Sequence, residues 1–285
     1  MTRLSTFAHA KLNLTLDVLC RRPDGYHELE MVMQEISLGD ALELELGTGQ
    51  PWRMECSTGE IPCDDTNLCI KAARLFFRAA SIDCGGLTIH LTKYIPSCAG
   101  MGGGSADGAA VLRLLWEHYD HPISREELFL LAEQTGSDVP FTLLGGTALA
   151  RGKGQVLTVL PRLPSCYFVI CKPDFPISTP ALFQAIDDAE IVARPDTRGM
   201  LTALKRGDLA AIAHGLANVF TPVVAKDHPE IGEIRDVMLS SGALGAEMTG
   251  SGPTVFGIFT DPNQVALCHT RLKARYHDTF VVRPE

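Results

Sequence analysis

The first third of the chain alternates between hydrophobic and polar positions. Every second residue from Leu12 to Val18 is hydrophobic, which is the period of a strand with one buried face. The next residues, Pro23-Asp24-Gly25, predict a turn, because proline presets φ, aspartate bonds back to the backbone and glycine accepts a positive φ. A second strand and then the alternating segment ALELELG complete a predicted meander.

From Asn67 onward the period changes to that of helices. Polar and apolar residues between Asn67 and Ala79 fall on opposite faces of a helix, and the preceding DDT supplies N-cap residues. The segment LTIHLT returns to strand alternation. After a run of glycines, a helix opens with Ser105 and is apolar around most of its circumference, so we expect it to be largely buried.

The rest of the chain mixes helices and strands without strict alternation. Ser124 and Glu127 form a capping box for a helix that ends near Gly136, and CYFVICKP and TGSGPTVFGIF each predict an apolar strand. Further helices are predicted near residues 180–189, 200–219, 229–241 and 262–274. This mixture favours an α+β fold over a doubly wound sheet.

The length of 285 residues is typical of about two domains. Pro161 and Pro164 flank a change of pattern near residues 151–165, where we expect the junction between them. The predicted domains are therefore residues 1–158 and residues 159–285.

Composition argues against several classes of protein. Apolar residues make up 46% of the chain, yet no run of 18 apolar residues occurs and the N-terminal segment has no signal-peptide core. We therefore expect a cytoplasmic protein with no membrane partner, as a monomer or a homodimer. The net charge of −9 argues against nucleic acid as a partner. Nine cysteines at irregular spacings, without a Cys-x-x-Cys pair, are typical of reduced thiols.

One segment, IPSCAGMGGGSADGAAV, holds four glycines in five residues between a predicted strand and a predicted helix. Glycine lets the backbone approach an anion closely, and the first amides of a helix have no internal partner, so the segment predicts a phosphate-binding loop. No lysine follows Gly104, which excludes a P-loop. The HRD and DFG signatures of protein kinases are absent. A Rossmann fingerprint, with Ser105 in place of its third glycine, and a tight turn packed on glycine remain as alternatives.

Phosphoryl transfer also needs a cation beside the moving group and a residue that orients or deprotonates the acceptor alcohol. Lys11, in AHAKLNL, and Asp138, in GSDVPF, are the candidates. Taken alone, Lys11 also fits a solvated lysine, and Asp138 also fits an Asx turn past the end of a helix. The Lys11 segment, the glycine segment and the Asp138 segment, in this order along the chain, indicate phosphoryl transfer more strongly than either residue does alone.

Four segments together resemble the GHMP small-molecule kinases: AHAKLNLTLDVLCRRPDGYHE, IPSCAGMGGGSADGAA, TGSDVPF and MTGSGPTVFGIF. The resemblance implies a two-lobed α+β fold, with an N-terminal nucleotide-binding lobe of the ribosomal protein S5 domain 2-like type and a ferredoxin-like C-terminal lobe. The strand with lysine and asparagine, followed by RRPDGYH, is similar to the members that phosphorylate a cytidine diphosphate-linked methylerythritol on its 2-hydroxyl. The other members considered act on homoserine or mevalonate, and a non-catalytic nucleotide-binding protein of the same fold is a further alternative.

The resemblance also implies how ATP, accompanied by Mg²⁺, binds. Its phosphates would lie on the glycine loop with a lysine nearby, through Lys93, Pro96, Gly100, Gly102, Gly103, Gly104, Ser105 and Ala106. Ser105 would be the candidate metal ligand. Ala106 stands where a second serine is common, so that position offers no hydroxyl, and His9 stands where proline is common.

For the reaction, the resemblance implies that Lys11 polarises the transferring phosphoryl group and that Asp138 acts as the base. The expected substrate-binding residues are Asn13, Tyr26, His27 and Phe183. The tyrosine and the phenylalanine would stack on cytosine, and the histidine would bond to its edge. From the residues alone, Tyr26 and His27 also fit surface positions beside a turn, and Phe183 also fits the core.

Overall fold

The computed structural model describes residues 1–189, 191 and 193–285. The chain divides into two units. The first unit comprises Met1–Ala10, Leu38–Ser97 and Gly102–Gly145, and the second comprises Lys11–Ser37, Cys98–Met101 and Gly146–Glu285. Two long strands, β1 (Thr2–Arg21) and β2 (His27–Leu46), contribute residues to both units.

The first unit adds short strands and a layer of helices to its parts of β1 and β2. These elements are β3 (Arg53–Cys56), α1 (Leu68–Ala80), β4 (Leu87–Thr92), α2 (Gly103–His118), α3 (Arg125–Thr135) and α4 (Val139–Leu144). β4 pairs with β3 in parallel and with β2 antiparallel, so that Ile89 lies opposite both Met54 and Leu44. The strands and helices share one hydrophobic core, in which Phe76 and Leu112 are completely buried.

The second unit contains a four-stranded antiparallel sheet in the order β11-β7-β10-β9. Its elements are β5 (Thr147–Gly152), β6 (Val156–Val159), β7 (Tyr167–Lys172), α5 (Thr179–Asp187), α6 (Thr197–Arg206), α7 (Leu209–His214), β8 (Ala217–Asn218), α8 (Thr221–Asp227), α9 (Glu230–Ser240), β9 (Gly245–Met248), β10 (Val255–Phe259), α10 (Pro262–Lys273) and β11 (Asp278–Val282). Helices α9 and α10 pack on this sheet, and its residues Phe168 and Phe256 are completely buried. In the same unit β5 pairs with β2, and β8 pairs with β1 in parallel.

Several local predictions are confirmed. The turn after β1 forms as expected, since Gly25 has a φ of 85° and the N–H of Tyr26 donates to Oδ1 of Asp24 at 3.1 Å. Ser124 is the N-cap of α3, as predicted, because the N–H of Glu127 donates to its Oγ at 3.1 Å. The predicted α+β character is confirmed as well.

The prediction of a first strand with one buried face is wrong, because its polar positions are buried too. Asn13, Thr15 and Asp17 are at most 5% exposed. Each has a partner inside the second unit: Thr15 Oγ1 accepts from the N–H of Val32 at 3.1 Å, and Asp17 accepts from Arg194 Nη1 at 2.6 Å. Burial raises the pKa of Asp17, although Arg194 opposes the shift. Such pairing makes burial of polar groups tolerable.

Several predicted boundaries are also wrong. The second strand and ALELELG form a single strand, β2. The helix predicted at 200–219 is two helices, because Gly207 adopts a φ of 64° after α6 and Asp208 caps α7. Asn67 itself caps α1 by accepting from the N–H of Cys69 at 2.8 Å, and α2 begins at Gly103 rather than at Ser105.

Two further expectations concern the whole chain. No helix within residues 1–189, 191 and 193–285 has the length and apolar character needed to cross a membrane. The spacing of the nine cysteines predicts reduced, buried thiols; all nine are free, but only Cys69, Cys166, Cys171 and Cys268 are buried, and Cys20, Cys63 and Cys98 are exposed. The boundary between residues 158 and 159 stays a prediction.

Candidate active site

The segment between β4 and α2 contains three residues with positive φ angles and leads into a helix N-terminus. Cys98, Gly100 and Gly102 have φ angles of 51°, 70° and 70°, a left-handed region that glycine enters without steric cost. Gly102 is the N-cap of α2, and the N–H of Ala106 donates to its carbonyl at 2.8 Å. The amides of residues 103–105 precede that bond, at the positive end of the helix dipole, and are available to a phosphate.

A side chain at Gly103 would crowd its surroundings. A Cβ atom there would lie 3.0 Å from Cγ2 of Ile95 and 3.4 Å from Nζ of Lys93. At Gly104 the nearest atom would be 3.9 Å away. Bulk at Gly103 would therefore displace the residues around the start of α2.

Gly100 packs against a second glycine turn in the same unit. A Cβ on Gly100 would lie 2.5 Å from the carbonyl oxygen of Thr249, and a Cβ on Gly250 would lie 2.6 Å from the carbonyl oxygen of Gly100. The TGSG turn before β10 and the glycine segment thus approach each other backbone to backbone. Gly100 therefore fits the alternative interpretation, a tight turn that needs glycine for close packing. The amides at the start of α2 instead fit anion binding.

Lys11 is not a solvated lysine. It is 4% exposed, and its Nζ donates to Asn13 Oδ1 at 2.7 Å and to the carbonyl of Gly100 at 2.9 Å. Asn13 is held in turn by Thr249, whose hydroxyl accepts from the backbone N–H of Asn13 at 2.9 Å. The second unit thus directs this ammonium group with an amide oxygen and a carbonyl oxygen. Nothing in the sequence pattern marked Thr249 for this role.

Lys93 lies between two buried carboxylates of the first unit. Its Nζ bonds to Asp40 Oδ2 and, at 2.7 Å, to Asp107 Oδ2. The other oxygen of Asp40 accepts from the N–H groups of Tyr94 and Ile95, at the entry to the glycine segment. The three side chains therefore connect β2, the residues after β4, and α2.

The electrostatics of this cluster follow from its burial. Desolvation and the nearby Asp40 raise the pKa of Asp107 to about 7, against the effect of Lys93. Burial works against the ammonium of Lys93, but Asp107 and Asp40 outweigh it and raise the pKa of Lys93. Sequence reasoning singled out neither aspartate, although a lone carboxylate on the apolar part of α2 was an available signal.

Asp138 lies immediately before α4 in the first unit. Its side chain makes no capping hydrogen bond to that helix. Thr142 Oγ1 lies 3.1 Å from the carbonyl oxygen of Ser105 and 3.3 Å from that of Asp138. One hydroxyl therefore connects the start of α2 with the residue predicted to be the base.

Two of the candidate base-binding residues of the second unit, His27 and Phe183, form an aromatic cluster. The His27 imidazole stacks on Phe183, with ring centroids 4.8 Å apart and an interplanar angle of 26°. Tyr26 is 56% exposed, and Lys153 Nζ lies 4.7 Å from the centroid of its ring. Because its side chain is so exposed to solvent, Tyr26 is not a core residue.

A cleft of about 290 Å³ lies beside this cluster. His27 and Asp187 line it together with residues 18–20 and Arg194. His27 Nε2 and Asp187 Oδ1 are 2.7 Å apart, and sequence analysis did not identify Asp187.

The predicted site residues divide between the two units. Those of the first unit are Lys93, Pro96, Gly102, Gly103, Gly104, Ser105, Ala106 and Asp138. Those of the second unit are Lys11, Asn13, Tyr26, His27, Gly100 and Phe183. The first group contains a helix N-terminus and a carboxylate, and the second contains the lysine held by Asn13 and Gly100 and the aromatic cluster.

Comparison with known proteins places both parts in one family. Residues 67–146 match the family model of the GHMP kinases N-terminal domain, and residues 200–278 match that of the GHMP kinases C-terminal domain. A 4-diphosphocytidyl-2-C-methyl-D-erythritol kinase from Pelotomaculum thermopropionicum is 45% identical, over 97% of this chain and 94% of the relative. Another from Brevibacillus brevis is 40% identical, over 99% of this chain and 96% of the relative.

Solved structures agree with these relatives. A crystal structure of 4-(cytidine 5'-diphospho)-2C-methyl-D-erythritol kinase is 34% identical, with a TM-score of 0.82 and 99% of each chain covered. Homoserine kinase from Cytophaga hutchinsonii, at 18% identity and a TM-score of 0.79, covers 100% of this chain and 95% of its own and shows the fold alone. The chain belongs to the GHMP kinases, with their N- and C-terminal lobes, and within them to the family of 4-diphosphocytidyl-2-C-methyl-D-erythritol kinases. It is an enzyme, a small-molecule kinase with ATP as phosphoryl donor.

Proposed function

We propose that this enzyme transfers the γ-phosphoryl group of ATP to the 2-hydroxyl of 4-diphosphocytidyl-2-C-methyl-D-erythritol, in the non-mevalonate route to isoprenoid precursors. The relatives with this name support the proposal along nearly the whole chain. The observation that carries it within this molecule is the stacked pair of His27 and Phe183, in which His27 lines a cleft and is preceded in the chain by the exposed Tyr26. Aromatic faces of this kind bind a nucleobase, which homoserine and mevalonate lack.

ATP would bind through its phosphates at the start of α2. The amides of residues 103–105 and the dipole of a 16-residue helix favour an anion there. Lys93 would act mainly by holding this loop, because its ammonium group is already bonded to two carboxylates. The phosphates would then depend on backbone donors whose positions the Lys93 cluster maintains.

Mg²⁺ would accompany the nucleotide. This ion keeps several waters and binds through one or two protein oxygens together with substrate phosphates. The hydroxyl of Ser105, in the first turn of α2, is a hard oxygen donor of the kind it prefers, whereas Ala106 offers none. When bound, the ion would neutralise charge on the β- and γ-phosphates.

Lys11 and Asp138 would carry out the transfer. The Lys11 ammonium, directed by Asn13 and Gly100, would stabilise charge on the transferring phosphoryl group. Asp138 would accept the proton that the 2-hydroxyl loses as its oxygen bonds to phosphorus and ADP leaves. Asn13 would orient Lys11 through its side-chain oxygen, in addition to any contact with substrate.

A panel of alcohols tests the proposed function. ADP release would be followed with the cytidine diphosphate-linked methylerythritol, its uridine analogue, homoserine and mevalonate. We expect turnover of the cytidine-linked alcohol, with product identified as the 2-phosphate by phosphorus NMR. Turnover of homoserine or mevalonate alone would assign the enzyme to another branch of the family. Nucleotide binding without turnover of any alcohol would indicate a non-catalytic protein.

A further inference from the structure

The carboxylate of Asp187 lies one helical turn from Phe183 on α5, and both side chains contact His27. Residues four apart on a helix share a face. Phe183 covers one face of the imidazole at 4.8 Å, while Asp187 Oδ1 meets Nε2 at 2.7 Å. The histidine side chain is 9% exposed. Helix α5 therefore fixes the orientation of a nearly buried ring, through the face that contacts Phe183 and the nitrogen that contacts Asp187.

An ionised carboxylate only accepts hydrogen bonds, so Nε2 of His27 must carry the proton in this contact. In a neutral imidazole the other nitrogen, Nδ1, is then an acceptor. Among the residues that the structure describes, Asp187 is the only hydrogen-bond partner of the imidazole. Nδ1 is therefore left to a ligand.

An acceptor at Nδ1 of His27 can distinguish cytosine from uracil. Cytosine presents an amino group at position 4, which donates, whereas uracil presents a carbonyl oxygen there, which accepts. An acceptor at Nδ1 pairs with the cytosine amino group and opposes the uracil oxygen. Were the tautomer reversed, Nδ1–H would instead favour uracil.

We propose that Asp187 is a positioning residue for base specificity, which fixes His27 as the Nε2–H tautomer and so makes its Nδ1 an acceptor for the 4-amino group of cytosine. The proposal rests on the proposed function for the identity of the substrate. The tautomer itself is independent of any substrate. Arg21 Nη1 lies 3.9 Å from the other oxygen of Asp187.

Asp187→Asn is the test, because asparagine keeps the shape but can either donate to or accept from Nε2. Asp188→Asn is the matched control, since Asp188 is the next residue, is exposed, and loses the same charge. Nitrogen-15 NMR of the ring at pH 8.5, where an ordinary imidazole is neutral, reports which nitrogen is protonated. His27→Ala assigns the signal.

We expect the wild-type enzyme and Asp188→Asn to show the Nε2–H form, and Asp187→Asn to show a mixture of tautomers. We also expect Asp187→Asn to lower the ratio of kcat/KM for the cytidine-linked over the uridine-linked alcohol by about tenfold, with the KM for ATP unchanged. A wild-type Nδ1–H form, or an unchanged ratio in Asp187→Asn, would overturn the proposal. Absence of turnover in the wild-type enzyme would instead contradict the proposed function, and the NMR result would still decide the tautomer.

Discussion

The backbone N–H of Asn13 donates to the hydroxyl of Thr249 at 2.9 Å, across 236 residues of sequence. The side-chain oxygen of the same asparagine accepts from Lys11 Nζ at 2.7 Å. Asn13 therefore connects the turn that contains Thr249 with the predicted catalytic lysine. Thr249 is completely buried. Its hydroxyl therefore serves the position of Lys11 rather than contact with solvent.

Thr249→Val should lower kcat by about tenfold while leaving the KM for ATP within about twofold, since it removes one buried hydrogen bond of ~1–1.5 kcal/mol but keeps the side-chain volume. Thr249→Ser, which retains the hydroxyl, should restore most of the loss in kcat. Steady-state kinetics of the two variants check this. Equal losses in both variants would indicate a role in packing instead.

Asp138→Asn should lower kcat by ~10²–10⁴-fold, the usual contribution of a general base. ATP affinity should be nearly unchanged, because the phosphates are assigned to the start of α2. Single-turnover kinetics and calorimetric titration with ATP measure the two effects. A drop in kcat of only a few-fold would remove Asp138 from the mechanism.

Gly103→Val should weaken ATP binding at least tenfold. Its Cβ would already lie 3.0 Å from Ile95 Cγ2, and its methyl groups would crowd the amides at the start of α2. Gly232→Ala is a suitable control, because a Cβ there meets no atom within 4 Å. Calorimetry on both folded variants tests the prediction. Unchanged affinity in Gly103→Val would return the glycines to a packing role.

Asp107→Asn should change how stability depends on pH. The pKa of Asp107 is raised from 3.8 to about 7 by burial and by Asp40, so the folded protein binds one more proton than the unfolded chain between these values. The contribution of Asp107 to the free energy of unfolding is thus fully present below about pH 4. It is lost as pH rises towards 7, by at most ~1.4 kcal/mol per pH unit.

Urea unfolding between pH 5 and pH 8 measures this contribution as the difference between wild type and Asp107→Asn. The free energy of unfolding of the variant should rise relative to that of the wild type as pH rises to about 7, and the difference should then level off. Glu126→Gln, at an exposed position on α3, should follow the wild-type curve. A pH-independent difference for Asp107→Asn would show that the carboxyl group titrates alike in the folded and unfolded chain.

Tyr26→Ala should raise KM for the cytidine-linked alcohol by about tenfold, consistent with ~1–3 kcal/mol for a stacked base. KM for ATP should stay the same. Phe7→Ala is the matched control, since Phe7 is 57% exposed and Tyr26 is 56% exposed. Should Tyr26→Ala raise KM for ATP instead, the assignment of the two substrates to their binding residues would be reversed.

Much of the fold was readable from local patterns, because caps and turns depend on neighbouring residues. Ser124 and Asp261 begin helices as their sequences predict, and Pro23-Asp24-Gly25 turns the chain between β1 and β2. The glycine segment predicts a phosphate-binding loop, because glycine lets the backbone approach an anion at the start of a helix. Boundaries were less accurate where one residue decides them, as at Gly207 between α6 and α7.

The sequence by itself determined the class of enzyme and the residue types at its site: a glycine loop, a lysine, a carboxylate and an aromatic pair. Tertiary structure decided which partners those residues have. Lys11 depends on Asn13, Gly100 and Thr249, Lys93 on Asp40 and Asp107, and His27 on Phe183 and Asp187. The physical reason is that a hydrogen bond or an ion pair depends on distance in space, and most of these partners are far apart along the chain, where no periodicity can register them.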